Sequence, residues 1–174
     1  DNTETILHRI IRGTGTLGLG GIPLKRPLTT DSPIYLARPL LFVWRKEIIE
    51  YLGEKHCNYR TDASNEELVY LRNKIRLELI PFLENQYNPN VKNLLIQLCQ
   101  ILNLQNEFLV TEAKKILQAS TVEIKHDSYT IDTRCLTQYP KILQYFALRE
   151  ILNTLQVPLS EITYDHYTKI LDEI

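Results

Sequence analysis

The sequence predicts a mixed, predominantly α fold. Residues 1–84 are expected to form the carboxyl-side part of an α/β domain. Residues 85–174 are expected to form a small helical domain with a β-hairpin near 121–132. Three observations carry this. Apolar residues recur at helical spacing over 1–11, 44–53, 68–83 and 91–118. A short strand pattern follows a Gly- and Pro-rich stretch in the first third. Two β-rich triplets flank Lys125-His126-Asp127-Ser128.

In residues 1–11, Ile6, Leu7, Ile10 and Ile11 make one stripe, while Glu4, His8 and Arg12 recur at i+4 spacing and share another face. Arg12-Gly13-Thr14-Gly15 ends this helix, with Gly13 suited to the position after the last turn. Gly18, Gly20, Gly21, Pro23 and Pro27 make the run to Pro33 a loop, longer than connections usually are. Ile34-Tyr35-Leu36-Ala37 is a strand candidate, and Arg38-Pro39-Leu40-Leu41 follows it.

Trp44, Ile48, Ile49 and Leu52 predict a helix ending at Gly53. Cys57 to Arg60 reads as extended, and Asp62-Ala63-Ser64-Asn65 is rich in turn and N-cap formers. Leu68, Leu71, Ile75 and Leu79 form the inward stripe of a helix to about Leu83, which Asn88-Pro89 separates from a long helix over 91–118. After the hairpin, two helices are expected near 140–155 and 160–174.

The chain has 174 residues, 44% hydrophobic and 24% charged, enough to bury a core without disulfides or metals. Its net charge is −1 and its pI near 6.5, so any contact with nucleic acid must come from a clustered basic face. Cys57, Cys99 and Cys135 are too widely spaced for a disulfide framework or a zinc knuckle, so no metal site is expected. No stretch approaches the length of a membrane span, and no signal peptide is visible. With no Met at all and an abrupt start at Asp1, the sequence reads as a fragment.

Three polar constellations are candidates for chemistry. In the first, Asp1, Glu4 and Thr5 stand with Arg12, Gly13 and Gly15. Carboxylates in a first helical turn can serve the helix dipole alone, or they can hold an ammonium group or a metal-bound nucleotide, with Arg12 meeting a phosphate or carboxylate. In the second, Arg38 ends a strand; in an open α/β sheet that position faces the ligand crevice, and otherwise it is a surface ion-pair position. In the third, Asp62, Ser64 and Asn65 precede Arg72, Asn73 and Arg76. Arg72 and Arg76 are one turn apart and can grip successive phosphates, or can pair with Glu66, Glu67 and Glu78 on a solvated face.

In this order and at this spacing, the elements Asp1-x-x-Glu4-Thr5, Arg12-Gly13-Thr14-Gly15, Arg38-Pro39-Leu40-Leu41, Asp62-x-Ser64-Asn65 and Arg72-Asn73-x-x-Arg76 resemble the tRNA(Ile)-lysidine synthase family. The resemblance is strong over residues 1–95. It implies a Rossmann-like PP-loop nucleotide-binding domain followed by a tRNA-binding helical domain. It also implies ATP-dependent ligation of free L-lysine to C2 of the wobble cytidine in tRNA(Ile) with a CAU anticodon, with ATP and Mg²⁺ required by the complete enzyme. On that resemblance Asp1 and Glu4 are the catalytic-pocket residues, Arg12 and Arg38 hold nucleotide or RNA, and Arg72, Asn73 and Arg76 bind RNA or support the pocket. The expected location is the cytoplasm, or the plastid stroma in an organelle.

The family's Ser-Gly-Gly-x-Asp-Ser phosphate loop does not occur in the chain, so the chain alone is expected to be inactive. Asn2 stands where many relatives carry Gln. Two other readings remain: an ATP-dependent cytidine thiolase, which the lack of a Cys-x-x-Cys pair disfavours, and a non-catalytic helical RNA-binding module. Tyr129, Tyr139, Tyr145, Tyr164 and Tyr167 sit at half-buried spacing, which favours packing over base stacking.

Overall fold

The computed structural model describes residues 2–29, 32–60, 71–159 and 162–174. Asp1 and the Asp62-Ala63-Ser64-Asn65 turn lie outside the described residues. The chain divides into two compact units, residues 1–103 and 104–174, and the division falls inside one long helix.

The first unit opens with α1 (Asn2–Arg12), which buries Thr3, Glu4 and Ile6 and packs on the helical segments that follow residue 70. Gly13 ends it in the left-handed region, φ 82°, where its N–H donates to Ile10 O at 3.1 Å. The expected loop is more structured than its composition suggests. It contains one short turn of helix, α2 (Thr16–Leu19), and a strand, β1 (Lys25–Pro27). Arg9 Nη1 donates to Gly18 O and Gly21 O, Ile22 N donates to Asn2 Oδ1 at 2.9 Å, and Asn103 Nδ2 donates to Gly20 O at 2.9 Å.

The strand candidate near residue 35 is β2 (Tyr35–Ala37), but its setting differs from the expected parallel sheet. It pairs antiparallel with β1, in the register Lys25 with Ala37 and Pro27 with Tyr35. Both sheets among the described residues are two-stranded antiparallel pairs. Lys-Arg-Pro has no apolar alternation or β-branched residue, so β1 exists by pairing and not by propensity. Lys25 Nζ lies 4.1 Å from the Tyr35 ring centroid, which adds a cation–π contact across the ribbon.

A 3₁₀ turn (Pro39–Phe42) leads to α3 (Arg45–Glu54), where Glu47 Oε2 accepts the Trp44 N–H at 2.6 Å. The helix expected to reach Leu83 continues in three segments: α4 (Leu71–Lys74), a π-helical turn (Ile75–Leu79) and α5 (Ile80–Gln86). Pro81 explains the widening. It has no N–H for the Leu77 carbonyl and its ring crowds that carbonyl, so one extra residue per turn relieves the clash. Ile6, Ile75, Ile80, Cys99 and Leu102 form this unit's apolar core.

The long helix α6 (Val91–Ser120) follows the expected break at Asn88-Pro89. In the second unit the hairpin forms between β3 (Thr121–Ile124) and β4 (Tyr129–Ile131), closed by Lys125 N donating to Ser128 O at 2.8 Å. A short helix missed by periodicity, α7 (Thr133–Leu136), begins at Asp132, whose carboxylate accepts the Arg134 N–H at 3.0 Å. Helices α8 (Lys141–Thr154) and α9 (Tyr164–Asp172) enclose Phe146, Ala147, Ile151 and Tyr167. Tyr145 and Tyr167 pack with ring centroids 4.6 Å apart, whereas Tyr164 is 71% exposed at the rim. Among the described residues no helix is long and apolar enough to cross a membrane.

Gly21 holds φ 73°, and a Cβ there would lie 2.8 Å from Cys99 Sγ and against the Asn2 side chain. Gly21→Ala is therefore expected to cost about 2–4 kcal/mol in denaturant unfolding. Gly53→Ala is the contrast: nothing lies within 4 Å of its Cβ position in α3, and a gain of up to about 1 kcal/mol is expected.

Candidate functional site

Glu4 is the centre of the polar architecture in the first unit. Its side chain is only 9% exposed, yet it carries a charge, which is tolerable only if that charge is met. Arg76 meets it with two bonds, Nε to Oε1 at 2.7 Å and Nη2 to Oε2 at 2.9 Å. Arg72 Nε adds a third at 3.2 Å to Oε2. The forked guanidinium geometry suits two-point recognition of a carboxylate. Glu4 is on α1, Arg72 on α4 and Arg76 in the π turn, so the cluster joins segments about seventy residues apart in sequence.

Burial by itself would raise the Glu4 pKa, but the hydrogen bonds and charge of Arg76, with the further bond from Arg72, hold the carboxyl below its ordinary 4.5. The Arg76 pKa is raised, chiefly by its hydrogen bonds to Glu4. Asn73 is buried beside them on α4. The structure thus brings Glu4, Arg72 and Arg76 together. Of the glutamates weighed as partners from the sequence, Glu66 and Glu67 lie outside the described residues, and Glu78 makes no ion pair with either arginine among the described residues.

Two hollows flank the cluster. The first, about 370 Å³, is lined by Glu4, Arg76, Trp44, Lys92, Asn93 and Gln100, and the Thr3 hydroxyl at its wall is buried with no hydrogen-bond partner among the described residues. The second is broader, about 980 Å³, and five arginines line it: Arg9, Arg26, Arg38, Arg45 and Arg72. Arg38 Nη1 donates to Pro23 O at 3.0 Å, so this arginine is held at the base of the ribbon and not at the crevice of a parallel sheet.

Arg12 is exposed at the end of α1 and lines neither hollow. The residues of that helix that line the arginine hollow are Thr5 and, four positions later, Arg9, a spacing visible in the sequence and left unused. Arg26 and Arg45 were also missed. Arg26 sits in a strand without a strand signature, and Arg45 opens a helix whose only sequence signal was its apolar stripe. Among the described residues no group of three or more His, Cys, Asp or Glu gathers for a metal ion.

The lowered pKa of Glu4 fixes the sign of a pH effect. A carboxyl whose folded pKa lies below its unfolded value stabilises the fold fully above that unfolded value. The stability difference between the unsubstituted protein and Glu4→Gln should therefore be constant above pH 4.5 and shrink as the pH falls through the lower folded pKa. Urea unfolding of both proteins across that range measures it.

Residues 1–83 match the PP-loop domain family. The chain is 34% identical to the tRNA(Ile)-lysidine synthase of Synechocystis sp. over 160 residues, which is 90% of the chain and 48% of that protein. It is 31% identical to the tRNA(Ile)-lysidine synthase of Nostoc sp. over 166 residues, covering 89% of the chain and 48% of the relative. The tRNA(Ile)-lysidine synthase of Clostridioides difficile is 39% identical over 126 residues, 72% of the chain and 26% of that protein. The chain thus spans about half the length of the first two relatives. The Glu4–Arg72–Arg76 cluster lies inside the matched PP-loop domain, and over its aligned length the chain is similar to these tRNA(Ile)-lysidine synthases.

Proposed function

We propose that the chain is part of an ATP-dependent ligase that joins the ε-amine of free L-lysine to C2 of the wobble cytidine in tRNA(Ile) with a CAU anticodon, releasing AMP and diphosphate. Residues 1–84 are read as the carboxyl-side part of a Rossmann-like PP-loop domain, and residues 85–174 as a helical tRNA-binding domain. The observation that supports this most is the meeting of Glu4 with Arg72 and Arg76, because residues from two separated family motifs form one buried cluster beside an arginine-lined hollow.

The chemistry demanded of such a site suits these side chains. Activation of the cytidine carbonyl by ATP requires phosphate to be held while charge develops, and guanidinium groups do this without giving up a proton. Arg38, and Arg12 at the end of α1, are assigned to nucleotide or RNA. Asp1, outside the described residues, and Glu4 are assigned to the pocket where the lysine ammonium arrives.

Glu4 is already engaged by two guanidiniums, so its part is to set the position of α1, with Arg72, Asn73 and Arg76 as the support. The complete enzyme would take ATP with its Mg²⁺. The described residues themselves gather no cage for a bare ion.

Transfer of labelled lysine to tRNA with a CAU anticodon, by the protein that carries this chain, tests the proposal. ATP- and lysine-dependent incorporation with AMP release is expected. Asp1→Asn and Arg38→Ala should each lower kcat/KM by about tenfold or more. Incorporation of sulfur in place of lysine would identify a thiolase, and RNA binding with no transfer would identify a non-catalytic module.

A further inference from the structure

The chain carries 20 Lys and Arg against 21 Asp and Glu, yet five of its arginines line one hollow of about 980 Å³. None of the described residues lining that hollow is acidic. Two of the five are partly spoken for: Arg9 holds the carbonyls of the α2 loop and Arg72 pairs with Glu4. Arg38 braces Pro23 O through one nitrogen. Arg26 makes only long contacts to the carbonyls of its own strand end, at 3.3 and 3.4 Å. The Arg45 side chain has no ion pair or hydrogen bond among the described residues. A guanidinium group left without a carboxylate keeps its full positive field, and several around one concavity focus it.

We infer that this hollow is an RNA-backbone site in which Arg26 and Arg45, together with Arg38, grip phosphodiester groups. The inference rests on the RNA-modifying reading above only for the choice of RNA as the polyanion. The phosphates of a free nucleotide share the same chemistry, but three features favour the backbone. The arginines come from the ribbon, the turn after it and the start of α3, which spreads them round an open surface instead of closing them on one group. The described lining offers no carboxylate to share a divalent cation with a triphosphate. The lining also includes Pro23, Pro39, Leu40 and Val43, which can carry sugar and base faces without reading them. Such contacts position an RNA and do not select its sequence.

The test is binding of a labelled anticodon stem–loop RNA, and separately of a fluorescent ATP analogue, to the chain and to its Arg26→Ala, Arg45→Ala and double variants across a salt series. Each single variant is expected to weaken RNA binding several-fold and to lower the slope of log affinity against log salt by about one per arginine lost. The loss should be the same for a stem–loop of scrambled sequence. Lys46→Ala, on the same helix but paired with Glu50, sets the effect of removing a charge elsewhere. Unchanged far-ultraviolet circular dichroism and melting temperature show that the variants fold.

No RNA binding by the unsubstituted chain at low salt, or unchanged affinity and slope in the double variant, would overturn the inference. So would loss of the ATP analogue in parallel with RNA, which would make the hollow a nucleotide pocket. RNA binding that depends on these arginines, in a protein that transfers no lysine, would leave this inference standing and remove the ligase reading alone.

Discussion

A buried carboxylate held by two guanidinium groups is the constraint from which the first unit takes its arrangement. Glu4 cannot stay charged inside the protein without Arg76, and Arg76 cannot reach it unless α1 lies against α4 and the π turn. Removing one partner from such a cluster leaves an uncompensated charge, which costs far more than the intact pair contributes. The apolar contacts of Ile6, Ile75 and Ile80 supply the driving force for that packing, and the ionic cluster selects the register in which it happens.

The second constraint is the anchoring of the glycine-rich stretch. Four side chains hold it through its backbone: Asn2, Arg9, Cys99 and Asn103. The Cys99 thiol donates to Gly20 O at 2.8 Å, and burial pushes its pKa up, so it acts as a small hydrogen-bonding core group. With the loop fixed, the ribbon of β1 and β2 leaves it in a defined direction and carries Arg26 and Arg38 to the rim of the hollow that Arg9 and Arg72 also line. A run that composition marks as flexible becomes a wall of the site.

Much of this was legible in the sequence because helical periodicity is strong there. The stripes of Ile6 and Ile10, of Ile48 and Leu52, and of the 91–118 region each mark a helix that forms, and the β-rich triplets around residues 125–128 mark the hairpin. The motif residues Glu4, Arg72 and Arg76 were legible as important, but their mutual contact was not, since no local pattern joins residues 4 and 76. The ribbon partner of β2 was hidden because Lys25-Arg26-Pro27 has neither alternation nor β-branching. The π turn was hidden because Pro81 marks a disturbance of the helix without saying whether it ends, kinks or widens. Arg45 escaped notice because an arginine at a helix start is ordinary until its side chain is seen to lack a partner among the described residues.

The ionic coupling between α1 and the π turn is the point at which the account is most exposed. A double-mutant cycle built from Glu4→Gln, Arg76→Gln and the pair, read by urea unfolding at neutral pH, measures it directly. The account predicts a coupling of about 2 kcal/mol or more between the two positions, with the double variant less destabilised than the sum of the singles. Additive effects, with no coupling beyond about 0.5 kcal/mol, would mean that Glu4 and Arg76 do not depend on each other, and the architecture built on them would be wrong.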